Sequence, residues 1–123
     1  MENIFIKGKT EEEIWSIANP FADRILSAVT TKDIDAFSAD FTARMKSLLT
    51  QEIFDEMVER FERDYGHYQK RRHVCTMNNP HCTPIIWVIN FDKTPLDILF
   101  QIRLVYEDGK LLTDSALFRT WMI

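Results

Sequence analysis

The sequence is sparing with the residues that mark most specialised proteins. Two cysteines among 123 residues are too few for a disulfide scaffold, so a packed interior has to hold the fold. With only three glycines and four prolines, the chain has no low-complexity tract, internal repeat or linker. It carries no G-x-S-x-G, P-loop or dinucleotide fingerprint. No stretch approaches the roughly 18 apolar residues of a membrane span, so no membrane partner is expected. Positive charge is not in excess. The net charge of −4 and a sequence pI near 5.3 argue against general nucleic-acid binding, which needs cations to displace phosphate counterions. The start, Met1 to Lys9, lacks a charged segment followed by a long apolar one, so no signal peptide is expected. A cytoplasmic protein without a cofactor is the resulting expectation.

Apolar and aromatic residues are plentiful. A chain that is 46% hydrophobic and 12% aromatic can bury roughly two thirds of its unfolded surface as one domain, residues 1–123. Thr10-Glu11-Glu12-Glu13 forms a capping box that opens a helix. Its apolar stripe is Ile14, Ala18, Phe21, Ile25 and Val29, widened by Ile17, Ala22 and Leu26. Pro20 lies inside that pattern and predicts a kink, or a restart with Asn19 as cap. Asp33 can cap a short second helix carrying Ile34, Phe37 and Phe41. Thr50 can cap a third, with Ile53, Phe54, Met57, Val58, Phe61 and Tyr65 on one face and Gly66 as its stop. Beyond Gly66 the period changes from 3.6 to 2. Strands are expected at 67–76, 85–91 and 96–106, and from Leu111 to Met122, with Asp108-Gly109 as a tight hairpin turn. The connections are too short for parallel crossovers. The expected fold class is therefore α+β, with three N-terminal helices packed on a curved antiparallel sheet of about four strands.

This order of elements resembles the nuclear-transport-factor-2-like, or cystatin-like α+β cone, superfamily over roughly residues 14–122. Local likeness lies in Ala36-Phe37-Ser38-Ala39-Asp40-Phe41-Thr42-Ala43-Arg44-Met45-Lys46. It continues from Leu49-Thr50-Gln51-Glu52 to Tyr65-Gly66, and it resembles an uncharacterised bacterial branch. The resemblance implies a pocket between the helices and the concave sheet, with Trp15, Phe21, Trp87, Phe100 and Phe118 as lining residues; each is equally a core residue type. It also implies sheet-to-sheet homodimers. The fold hosts isomerases and dehydratases as well as binding modules, so it does not settle function.

For catalysis, Asp114 is the only acid in register with Ala116, Phe118 and Thr120. It is the candidate polar group in the cone, with Tyr65, Tyr68 or Tyr106 as a hydroxyl partner. The plain alternative is a solvated residue near the hairpin. His73, Cys75, His81 and Cys82 offer zinc-type ligands across the 77–81 loop, but at spacings unlike the usual C-x2-C or H-x3-H forms; a reduced thiol pair at a sheet edge is the simpler reading. Lys70-Arg71-Arg72, with Arg60 and Arg63, is the one basic patch. It reads either as an anion site or as a charged strand edge that discourages pairing.

The second register of the sheet is also apolar. Ile86, Val88, Leu99, Val105, Leu117 and Trp121 fall on it among polar neighbours, as at a protein interface. Val88, Leu99, Val105, Leu117 and Trp121 are thus expected at a twofold homodimer contact. The resulting expectation is a non-catalytic, homodimeric module that binds a small apolar ligand or another protein. The alternative is a small-molecule isomerase or dehydratase with an acid in the cone.

Overall fold

The computed structural model describes residues 8–77, 79, 81–119 and 121–122; the readings made above of residues 1–7, 78, 80, 120 and 123 lie outside them. Four helices come first: α1 (Glu11–Thr31), α2 (Ile34–Ser38), α3 (Ala43–Leu48) and α4 (Gln51–Asp64). Five strands follow: β1 (Tyr68–Thr76), β2 (Thr83–Phe91), β3 (Ile98–Glu107), β4 (Lys110–Phe118) and β5 (Trp121–Met122). The strands form one antiparallel meander in the order β1-β2-β3-β4-β5. The expected α+β class is thus what the chain adopts, with one more short helix and one more short strand than expected.

Capping residues set the helix boundaries. Thr10 accepts from the Glu13 amide while Glu13 takes the Thr10 amide, so both members of the capping box are made. Asp33, Thr42 and Thr50 cap the next three helices, each side chain accepting from the amide three residues on. α1 continues through Pro20 as one helix, with no restart at Asn19. Pro20 denies a donor only to the Ser16 carbonyl, and both residues lie on the exposed side, where water can take that carbonyl. Phe41 is not part of α2. It follows α2 and forms a parallel bridge with Thr113 of β4, with Thr42 N–H donating to Thr113 and Thr113 N–H to Asp40. This bridge pins α3 to the sheet.

At the Asp108-Gly109 turn both residues have positive φ, 53° and 77°, as a two-residue hairpin with right-twisted strands requires. The inward face of β3 is fully buried at Ile98, Phe100, Ile102 and Leu104. Leu96 and Tyr106, which continue the same alternation, lie beyond its covered part and are exposed. Between sheet and helices a line of rings is in contact: Trp87 on Phe100 at 5.5 Å, Phe100 on Phe118 at 4.7 Å, and Phe118 on Phe61 at 4.8 Å. On the other side Phe37 meets Phe41 and Phe54. These rings fill the middle of the layer.

Two features of β4 and β5 break strict alternation. Arg103 pairs with Ser115 but Leu104 pairs with Thr113, so Asp114 is the extra residue of a β-bulge. Thr113, not Asp114, therefore takes the buried position after Ala116 and Phe118. Phe118 pairs with Trp121 and Leu117 with Met122. With only two residues between partners, odd and even exchange faces across this turn. Trp121 consequently lies with Phe118 on the helix side, 6.2 Å from both the Phe118 and Phe37 rings. Its expected place on the outer face is corrected: Met122 holds that position, 68% exposed.

Candidate functional site

An open groove lies at the edge where α1 meets β1. Trp15, Asn19 and Asp23 recur every four residues and share one side of α1. Opposite them stands β1, an edge strand with register slips between Tyr68 and Lys70 and between His73 and Cys75. Those bulges turn Tyr68, Arg71, His73 and Thr76 inward, opposite Phe91, Ile89, Trp87 and Ile85. An unbroken strand cannot point residues at those spacings to one face. The result is a groove of about 330 Å³ lined by Trp15, Asn19, Tyr68, Arg71, His73 and Trp87.

Polar groups in this groove are largely buried. The Arg71 side chain is 15% exposed and places Nη2 2.6 Å from Asp23 Oδ1. Its Nη2 also donates to Asn19 Oδ1 at 3.2 Å, and its Nη1 to the Tyr68 hydroxyl at 3.0 Å. Burial works against the Arg71 charge, but the bonds to Asp23 and Tyr68 outweigh it, and the pKa is raised from its ordinary value. Arg71 is therefore a fixed cation with its own counterion. His73, 7% exposed, lies against the Trp15 ring at 4.2 Å, with Nε2 3.0 Å from Thr76 Oγ1 and 3.9 Å from Glu11. The buried indole Nε1–H groups of Trp15 and Trp87 have no acceptor among the described residues, and the Thr113 hydroxyl on β4 is likewise without a partner. A buried donor without a partner is uncommon in folded proteins.

No family model, curated protein or solved structure matches this chain.

The structure divides the residues singled out from the sequence. Of the five expected pocket residues, Trp15 and Trp87 line the groove. Phe100 and Phe118 are sealed in the core, and the Trp87 side chain is as fully buried as they are. Phe21 is half-buried at the outer edge of α1, under the Arg24 guanidinium at 5.1 Å. Asp114 does not face the core layer. Its carboxylate accepts from the Thr42 hydroxyl at 2.7 Å and from Arg44 Nε at 3.1 Å, and Arg44 also donates to its carbonyl. It ties the start of α3 to β4. The zinc-type set is divided by the second bulge of β1: His73 turns inward opposite Trp87, while Cys75 stands opposite Ile86 on the outer face. Among the described residues no three His, Cys, Asp or Glu side chains gather as a metal site, and both cysteines are free.

The basic run is likewise split. Arg71 points in, whereas Lys70 and Arg72 are exposed and Arg72 meets Asp97 at 3.4 Å. Arg63 is paired with Asp64, and Arg60 lies 3.9 Å from Glu56. Asn19 and Asp23 escaped the sequence reading, although the Trp15, Asn19, Asp23 spacing on α1 was visible and could have marked a polar row beside the apolar stripe.

On the outer face of the sheet, Val88, Val105 and Leu117 are half-buried and Leu99 is 41% exposed. Val88 stands beside Leu99, and Leu117 beside Gln101 and Met122. Leu48, Ile53, Arg103 and Met122 border an adjoining groove of about 420 Å³. No helix of the described residues is long and apolar enough to cross a membrane.

Proposed function

We propose that this protein is a non-catalytic interaction module that pairs with a second copy of itself through the outer face of its sheet. The observation that carries the reading is the row Val88, Leu99, Leu117 and Met122, apolar and without a covering layer among the described residues. Four strands of nine or ten residues span about 30 Å by 19 Å at ordinary rise and spacing. Two such faces bury about 1,100 Å² in projection, close to the lower end of stable specific interfaces. An isologous contact sets one patch against itself, so a rim of a single charge would repel. Here Arg72 and Arg103 share the rim with Asp97, which suits self-association.

Two further observations favour a module over an isomerase or dehydratase. The ring line from Trp87 to Phe61 occupies the space that a buried substrate would need. Asp114 is committed to Thr42 and Arg44. Light scattering of the eluting protein tests the reading. Leu99→Glu and Met122→Glu both alter exposed side chains, so the fold should survive, and each should convert a dimer into a monomer. A dimer that persists in both variants refutes the assignment of the face.

A further inference from the structure

We propose that the groove between the start of α4 and the outer face of β3 and β4 binds a small amphipathic carboxylate, an apolar chain of medium length ending in one anion. Eight large apolar side chains are exposed among the described residues, and three of them, Leu48, Ile53 and Met122, meet in this groove. They come from three elements: the end of α3, the first turn of α4, and β5. Ile53 belongs by spacing to the apolar stripe of α4, whose members Phe54, Met57, Val58 and Phe61 are buried. Ile53 instead lines the groove and is 38% exposed. Apolar side chains gathered from separate elements at one open groove are a mark of binding, where single scattered ones are not. All three are open to a ligand, and covering them removes apolar surface from water.

Charge narrows the class. The other lining residues are Arg44, Arg103 and Ser115, so none of the six is acidic. Arg44 is engaged by Asp114 through Nε at 3.1 Å, and the same carboxylate accepts from the Thr42 hydroxyl. Arg103 is exposed on β3, and no ion pair reaches it among the described residues. One carboxylate therefore stands against two guanidinium groups, and the groove has a single positive charge to spare. A carboxylate suits the planar fork of Arg103. A second charge on the ligand would go unmatched and would lie against Leu48, Ile53 and Met122, so the rest of the molecule has to be hydrocarbon. At about 420 Å³ the groove falls within the range of small-molecule sites. All six residues belong to one chain, so binding here does not depend on pairing.

Titration of the intact protein, followed through its methyl signals in a ¹H–¹³C spectrum, tests the site. The probes share one chain length: octanoate (anionic), 1-octanol (neutral) and octyltrimethylammonium (cationic). Octanoate should move the Ile53 δ-methyl and Met122 ε-methyl signals, assigned with Ile53→Val and Met122→Leu. Those of the buried Met45 and Met57 should stay in place. Octanoate should bind about tenfold tighter than 1-octanol, the worth of one charge-assisted hydrogen bond, and octyltrimethylammonium should bind weakest. Arg103→Gln alters an exposed side chain, so the fold should survive. It should remove the advantage of octanoate without changing 1-octanol binding, whereas Ile53→Ser should weaken both. Equal binding of the three probes, an advantage that survives Arg103→Gln, or Ile53 and Met122 signals that do not move with octanoate overturns the proposal.

Discussion

Replacing Gly66 by alanine should reveal how tightly α4 is fastened to the sheet. Gly66 has φ of +88° at the end of α4, and a Cβ there would lie 2.0 Å from Asp92 Oδ1 and 2.7 Å from Lys93 Cβ. Asp92 Oδ1 is occupied, since it accepts from the His67 amide at 2.8 Å. Lys93 is held as well, its amide donating to the Tyr65 carbonyl at 3.0 Å. The left-handed backbone alone costs alanine about 1–2 kcal/mol, and displacing Asp92 forfeits a hydrogen bond of about 1.5 kcal/mol. Moving Lys93 adds to both, for about 3–4 kcal/mol in all. Gly109 is the internal control. Its φ is +77°, with nothing within 4 Å of a Cβ, so Gly109→Ala should cost only the backbone term, offset in part by the stiffer unfolded chain. Urea unfolding of both variants at one protein concentration measures the difference. Gly66→Ala should have a midpoint about 1–2 M below that of Gly109→Ala. Midpoints that coincide would refute the claim that Asp92 and Lys93 close on this glycine.

The remaining expectations concern the two faces and the first helix. Trp121→Ala should lower stability by about 2 kcal/mol, because a half-buried ring leaves Phe37 and Phe118, yet the protein should remain a dimer in sedimentation. That is the opposite pattern to Met122→Glu. Thr10→Ala should cost about 1 kcal/mol in thermal unfolding, the usual worth of such a cap. The Glu13 carboxyl is held below its usual range, first by the Thr10 backbone N–H and then by the Thr10 side chain. Its stabilising contribution is thus present above the ordinary carboxylate pKa and is lost as pH falls through the lowered folded value. A side-chain NMR titration should find that value low in the parent protein. In Thr10→Ala it should rise only part of the way, because the backbone bond remains.

Features set by local chemistry were legible in the sequence. The Thr10–Glu13 box, the Asp33 and Thr50 caps, the α4 stripe and the Asp108-Gly109 turn each depend on neighbours within four residues, and the structure has all of them except that Ile53 of the stripe is exposed. What escaped was the displacement of alternation. A period of two assigns faces correctly only until a bulge or an even-length turn intervenes, and no residue type announces either. One extra residue at Asp114 took that acid off the core face. Two in β1 brought Tyr68 and Thr76 to the side of Arg71 and His73 and sent Cys75 to the other. The two-residue turn before Trp121 exchanged that ring with Met122. α3 was missed because six residues give too short a stripe to register as a period, and its place depends on the distant Phe41–Thr113 bridge. The groove inherits these errors: its tryptophans were named in advance, but the polar wall facing them was not.

The central claim, that this chain is built to pair with itself, is tested most directly by the mass of the native protein. A native mass spectrum at micromolar concentration, recorded beside a denatured one, should show twice the 14.6 kDa of the single chain. A species at 14.6 kDa alone would contradict the account and leave the apolar sheet face without the role assigned to it.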